Sequence, residues 1–182
     1  VGTLALADGS GLASNYTIGT LSINITQRSV TLSGTKIYDG STTVSNSDIS
    51  AINNLAGGET LSITGSGSIT SAEVGSSKTL TLNTLALADN TGTASNYSLA
   101  SGTFDVTARP VTLAGSRVYD GTTTVSNSTL TTFNNLVSGE TLALTGSGSV
   151  ASANVGNSKS VTLGSLALAN NTGNASNYSL SS

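Results

Sequence analysis

The chain repeats itself every 81 residues, and the repeat limits its fold more than any other feature. "KIYDG" at Lys36 to Gly40 returns as "RVYDG" at Arg117 to Gly121. Arg28 and Arg109 each open an "R-x-V-T-L" stretch, and Tyr16, Tyr97 and Tyr178 each close an "A-S-N-Y" stretch. Self-similarity at a fixed period is the mark of a repeat architecture, in which one supersecondary unit is built several times over. The 182 residues hold two full periods and a remainder of 20, so the chain reads as a slice of a longer array. The divisions expected are 1–27, the C-terminal part of a preceding repeat; 28–108, a complete repeat; and 109–182, a repeat lacking its last linking strand. A unit of about 80 residues supports a modest core of its own but no deep interior cavity.

Within a unit, apolar residues alternate with Ser and Thr, the period of a half-buried strand. Val30/Leu32, Leu61/Ile63, Leu80/Leu82 and Leu85/Leu87 keep this pattern, as do Val111/Leu113, Leu142/Leu144, Val161/Leu163 and Leu166/Leu168. Branched Thr side chains suit the outer face of a pleated sheet. The expected class is therefore all-β: tandem β-sandwich or β-grasp-like modules joined end to end by an extended strand. One departure from alternation is the step of three in Ile49, Ile52, Leu55 and in Leu130, Phe133, Leu136. Polar residues precede both copies (Ser47 and Asp48; Asn127 and Ser128), which suggests either a capped short helix or a single 3₁₀ turn, with an irregular crossover loop as the alternative.

Two further patterns carry structural information. In "TGSGS" (Thr64–Ser68, Thr145–Ser149), Gly65 and Gly67 occupy core-facing positions and leave bare backbone. Either a bulky group such as a tyrosine ring lies over it, or the strand bends or bulges there. At the unit border, Phe104 and Val106 share one phase while Val111 and Leu113 take the other; Ile23/Ile25 and Val30/Leu32 do the same. A strand that changes its buried face at one point is leaving one core and entering the next. Pro110, the only proline, sits where a strand begins without losing a ladder bond.

Asp39 and Gly40 supply turn chemistry, an acceptor for nearby N–H groups and a residue that tolerates positive φ. Tyr38 brings an apolar ring and a hydroxyl in need of a partner. Tyr38, Asp39 and Gly40, their copies Tyr119, Asp120 and Gly121, and the pairs Asn96/Tyr97 and Asn177/Tyr178 are thus expected to be a folding signature. The ordered series "R-x-V-T-L-x-G-x-[KR]-[IV]-Y-D-G", "G-E-T-L", "T-G-S-G-S", "A-x-V-G-x-S-K", "L-A-L-A-[DN]" and "A-S-N-Y" resembles the YDG-type repeat of very large bacterial surface adhesins, filamentous-haemagglutinin-like exoproteins among them. The resemblance spans essentially the whole chain. It implies a secreted or cell-surface stalk of tandem β modules whose partners are neighbouring repeats, and it brings no catalytic residues or cofactor with it.

The composition narrows the functions further. Only 8% of residues are charged, the net charge is −3, and there is no His, Cys, Met or Trp. That rules out a basic patch for nucleic acid and any Cys/His metal cluster, and no apolar run has the length of a membrane span. Nine acidic residues spread over the chain, with Glu73 replaced by Asn154 in the next copy, argue against an acid–base enzyme. "ADGSG" (Ala7–Gly11) and "ADNTG" (Ala88–Gly92) offer one carboxylate each, Asn170 stands in the third copy, and a plain turn is favoured over calcium. An internal cross-link of Lys78 to Asn53 or Asn54, assisted by Glu59, is conceivable beside the simpler reading of a surface lysine. The abundance of Ser and Thr leaves the Asn-x-Ser/Thr matches uninformative, and Thr-x-Thr arrays such as Thr79–Thr81 are too short to bind ice. Two functions remain: a stalk that projects a distal binding region, or a module that contacts polysaccharide or copies of itself.

Overall fold

The computed structural model describes residues 4–181; Val1 to Thr3 of the expected leading segment, and Ser182, lie outside the described residues. The structure is all-β, and its described residues contain strands and 3₁₀ turns but no α-helix. The first repeat supplies β1 (Arg28–Ile37), β2 (Thr43–Ser45), β3 (Ile49–Asn53), β4 (Ser62–Thr64), β5 (Ser66–Ile69), β6 (Gly75–Thr81), β7 (Ala86–Ala88) and β8 (Tyr97–Thr107). The second supplies β9 (Arg109–Ala114), β10 (Thr124–Ser126), β11 (Thr132–Asn134), β12 (Leu142–Thr145), β13 (Ser147–Val150), β14 (Val161–Thr162), β15 (Ala167–Asn170) and β16 (Tyr178–Leu180).

In the first repeat a six-stranded sheet runs β2-β5-β6-β8-β1-β3, with β4 and β7 forming a separate antiparallel ribbon. β8 is the central strand. It pairs in parallel with β1 from Arg28–Tyr97 to Ile37–Thr107 and antiparallel with β6 at Gly75–Val106, Lys78–Phe104 and Thr79–Thr103. The second repeat keeps the same order but split in two, as β10-β13-β14 and β11-β9-β16. The split falls between β14 and β16, the place that the far half of β8 fills in the first repeat. The strands on either side are short: β9 ends at Ala114 and β14 spans only Val161–Thr162.

The change of buried face occurs where the alternation puts it. Phe104 and Val106 are buried in the first core, and Val111 is buried beyond Arg109. Only Ala108 separates β8 from β9. Leu32, Val44, Ile69, Leu80, Leu85, Phe104 and Val106 form the first core; Val125, Leu130, Leu144 and Leu166 form the second. The first cluster does not stop at the border: through Tyr38 it continues onto Val111, Leu142 and Tyr178.

Three local expectations are resolved here. The turn of each unit is a 3₁₀ turn, but it lies at Asn46–Asp48 and Asn127–Thr129, ahead of the apolar step of three. Ile49 and Ile52 lie on β3 instead, where the Ser45–Asp48 capping box closes the turn and releases an extended chain. No tyrosine covers the glycines of "TGSGS". Gly65 is a bend at φ +82° against the backbone of Thr84, and a Cβ on Gly67 would come within 2.6 Å of Leu85 Cδ1. Leucine, not an aromatic ring, uses the bare backbone. Residues 4–27 have a single 3₁₀ turn at Ala13–Asn15 and no strand, leaving Leu4, Leu6, Leu12, Ile23 and Ile25 exposed.

Phe104→Ala therefore removes a ring from the first core and is expected to cost about 3–5 kcal/mol. Ile23→Ala, at the matching position of the preceding segment, should stay within about 0.5 kcal/mol in dilute solution. Urea denaturation of the two variants checks the contrast.

Candidate functional site at the junction between repeats

The feature with the most concentrated polar chemistry is the contact between the two repeats. It starts from the YDG turn. Lys36, almost fully buried, donates to the carbonyls of Ser41 (3.0 Å) and Thr43 (2.7 Å) and pairs with Asp39 at 2.8 Å. Asp39 Oδ1 accepts the N–H of Ser41 at 2.9 Å, and Gly40 takes φ +76°. Burial works to raise the Asp39 carboxyl, but Lys36 and the Ser41 N–H outweigh it and hold the group below the usual carboxylate range. The same clip recurs with Arg117 bound to Asp120 and to the carbonyls of Thr122 and Thr124. In the first repeat the clip fixes the direction in which Tyr38 leaves β1, which ends at Ile37.

Tyr38 leaves it toward the second repeat. Its hydroxyl donates to Glu140 Oε1 at 2.5 Å, while the hydroxyl of Tyr178 donates to Glu140 Oε2 at 2.5 Å and accepts the N–H of Val137 at 3.1 Å. The two rings meet edge to face, 5.5 Å apart at 79°, a favoured geometry for aromatic pairs. Arg109 adds a donor to the Tyr38 carbonyl at 3.3 Å while holding Asn135 in its own repeat. Beside the tyrosines lies Asn177, 1% exposed. It accepts the N–H of Val74 at 3.0 Å and donates to Glu73 at 2.7 Å, both residues of the first repeat. Burial first, and then the bond to Glu140, push the hydroxyls of Tyr38 and Tyr178 upward. Tyr97 is also raised, chiefly by its bond to Glu59.

The same residues are also present without the contact. In the first repeat, Tyr97 binds Glu59 and the N–H of Ala56 as Tyr178 binds Glu140 and Val137, but Asn96 is exposed. In the second repeat, Tyr119 is 61% exposed where Tyr38 is 4% exposed, and Val155, the counterpart of Val74, lies open to solvent. The structure thus assembles Tyr38, Asn177 and Tyr178 into one site and leaves Tyr119 and Asn96 outside any such site. Asp39, Gly40, Asp120 and Gly121 act through the turn.

Glu140 and Glu73 are junction residues that the tyrosine motifs alone do not reveal. The recurrence of one Glu in "G-E-T-L" and one Tyr in "A-S-N-Y" in each repeat was the available signal, since each needs a polar partner. The cross-link partners are not brought together: Glu59 is taken by Tyr97, Asn54 by Arg28 and the Ser29 carbonyl, and Asn53 by Ser33, while Lys78 lies beside Gly75. In the "ADGSG" turns, Asp8, Asp89 and Asn170 each use the same side-chain oxygen to accept the N–H of Ala13, Ala94 and Ala175, at 2.6–2.8 Å. A turn acceptor explains why Asn replaces Asp. Among the described residues no three His, Cys, Asp or Glu gather as metal ligands, and no helix is long and apolar enough to cross a membrane.

The fold and junction together define a tandem β-repeat protein whose successive modules clasp through tyrosine and glutamate. A family model described as YDG domain matches residues 22–104 and 105–182, and the chain belongs to this YDG domain family, in two tandem copies. No curated protein and no solved structure matches the chain.

Asn177→Ala strips the Val74 N–H and Glu73 of their partner and is expected to cost about 1–3 kcal/mol. Asn96→Ala, the same change at the exposed copy, should cost less than about 0.5 kcal/mol. Paired urea titrations read the difference. The three raised phenols also set an alkaline limit. A phenol raised on folding contributes stability that is complete below its unfolded value of about pH 10 and is lost as the pH climbs through the folded value. Thermal midpoints followed upward from about pH 9 should fall progressively once past about pH 10, with tyrosinate absorbance growing as they do.

Proposed function

We propose that the chain is a run of stalk repeats from a secreted or surface-attached bacterial adhesin, holding a distal binding region away from the cell. One observation carries this reading: Glu140 joins a tyrosine from each repeat, while a single residue separates the last strand of one module from the first strand of the next. Repeats that touch only their neighbours, through a bonded and apolar contact, extend in one dimension and transmit length. A non-catalytic role accords with the side chains themselves. The acids of the site, Glu140 and Glu73, accept hydrogen bonds from phenols and amides.

Small-angle scattering of chains carrying two and four repeats tests the stalk. The maximum dimension is expected to grow linearly with repeat number, and a compact particle would contradict it. Tyr38→Ala, which deletes the ring that carries the first core onto Val111, Leu142 and Tyr178 of the second repeat, should widen the distribution of dimensions without unfolding the second repeat.

A further inference from the structure

The junction brings two phenols onto one base. The hydroxyls of Tyr38 and Tyr178 donate to the two oxygens of the Glu140 carboxylate, each at 2.5 Å. Their rings pack edge to face with centroids 5.5 Å apart, both buried in one apolar cluster with Val111 and Leu142. A phenol that gives up an electron must also give up its proton, and a base within hydrogen-bond reach is what takes it. The chain has no Cys, Met, Trp or His. With no sulfur to take up oxidising equivalents, tyrosine is its most readily oxidised side chain.

We propose that Tyr38 and Tyr178 form an oxidative cross-linking site, at which a one-electron oxidant couples the two rings into dityrosine and ties the repeats together covalently. Each phenol loses one electron to the oxidant and its hydroxyl proton to Glu140. Glu140 is half-buried, so the first proton has a way out to solvent before the second phenol reacts. The two tyrosyl radicals then join through a ring carbon next to each hydroxyl. The hydrogen on each of those carbons moves to its phenolic oxygen, which restores both aromatic rings. Two phenols thus give one biphenol, two protons and the two electrons that the oxidant takes up.

Three features of the junction favour this coupling. Burial first, and then Glu140, push both phenols upward, so the hydroxyls stay protonated and the proton leaves with the electron to a base already in contact. A ring that turns about its Cβ–Cγ bond leaves its hydroxyl oxygen in place, because that oxygen lies on the rotation axis. Each ring therefore swings its reactive edge toward the other while both oxygens stay at Glu140. The shared apolar cluster keeps the two radicals together and water away from them. Tyr97 lacks the second of these features: its hydroxyl donates to Glu59, but among the described residues Tyr38 and Tyr178 are the one aromatic pair in contact. The inference goes beyond the stalk reading and does not depend on it.

The test is visible-light oxidation of the whole chain by a ruthenium tris-bipyridine sensitiser, with persulfate as the electron acceptor. A Tyr16→Phe/Tyr119→Phe background leaves Tyr38, Tyr97 and Tyr178 as the only phenols. The expected product is a monomer lighter by two hydrogen atoms, with the blue fluorescence of dityrosine and a proteolytic fragment that joins the Tyr38 and Tyr178 peptides. Tyr38→Phe, which keeps the ring, should lose this product entirely, and Tyr97→Phe should keep it in full. Glu140→Gln preserves the shape of the acid and should slow coupling about tenfold or more, with its urea midpoint reporting that the chain is folded. Coupling in the unchanged junction should also slow in deuterium oxide, because the hydroxyl proton moves with the electron. The proposal is overturned if the mass does not fall, if the joined peptides include Tyr97, or if Tyr38→Phe still yields the product. Coupling at an unchanged rate in folded Glu140→Gln, or in deuterium oxide, also overturns it.

Discussion

One carboxylate, that of Glu140, sets the relation between the repeats. Removing a carboxylate from water is costly unless its oxygens gain strong partners, and bonds from neutral donors to an ionised acceptor are among the stronger hydrogen bonds in proteins. Here each oxygen takes one phenol. Tyr178 arrives from the same repeat and Tyr38 from the preceding one, so the carboxylate is fully served only when both modules are in place. The edge-to-face packing of the two rings closes the apolar side of the same contact. The residues on either side of Tyr38 serve its aim: the buried Lys36 before it, and the Asp39 turn and Gly40 at positive φ after it, set the direction in which the ring leaves the chain.

Because the motifs recur, the chain holds its own comparison of contact made and contact unmade. Tyr97 with Glu59 shows that half of the clasp forms inside a single repeat. Asn96 and Asn177 share a sequence and a 3₁₀ turn but differ in burial, and Asn177 alone bonds to Glu73 and Val74 of the neighbouring repeat. In a repeat array, stability divides into what each unit supplies and what each border adds. Asn177, Tyr38 and Glu73 belong to the border. Lys36, Leu80 and Phe104 belong to the unit.

Much of this was legible in the residues. Alternation of Val30/Leu32 and Leu80/Leu82 is a local signal, and it marks strands because every second side chain must reach a core. The phase change across Arg109 was equally readable, since a period of two leaves no doubt about which face a residue takes. What escaped depended on distance along the chain. Tyr38 and Glu140 stand 102 positions apart, and nothing in either motif names the other. The glycines of "TGSGS" announced that something approaches the backbone, but the intruder was Leu85 and the Thr84 carbonyl, delivered by a turn at Asn83 with φ +46°. The step of three in Ile49, Ile52 and Leu55 resembled a helix only because β3 begins just after a 3₁₀ turn and ends at Asn53, next to Asn54 at positive φ.

In the proposed stalk, the topology would also decide how a repeat carries tension. A pull along the array enters the first module at Arg28 and leaves it at Thr107, the start of β1 and the end of β8. These strands are parallel neighbours, paired from Arg28–Tyr97 to Ile37–Thr107. Force applied at opposite ends of a parallel pair slides one strand along the other, so the ladder bonds share the load instead of opening one at a time from an end. β8 is held on its other side by β6, and Phe104 and Val106 anchor it in the core. The covalent path then crosses Ala108 into β9, which is paired in parallel with β16 through Tyr178–Arg109. The pair that would carry load in the second module thus begins beside the tyrosine that clasps the first, and under the proposed stalk role the border and the ladder would act as one continuous mechanical element.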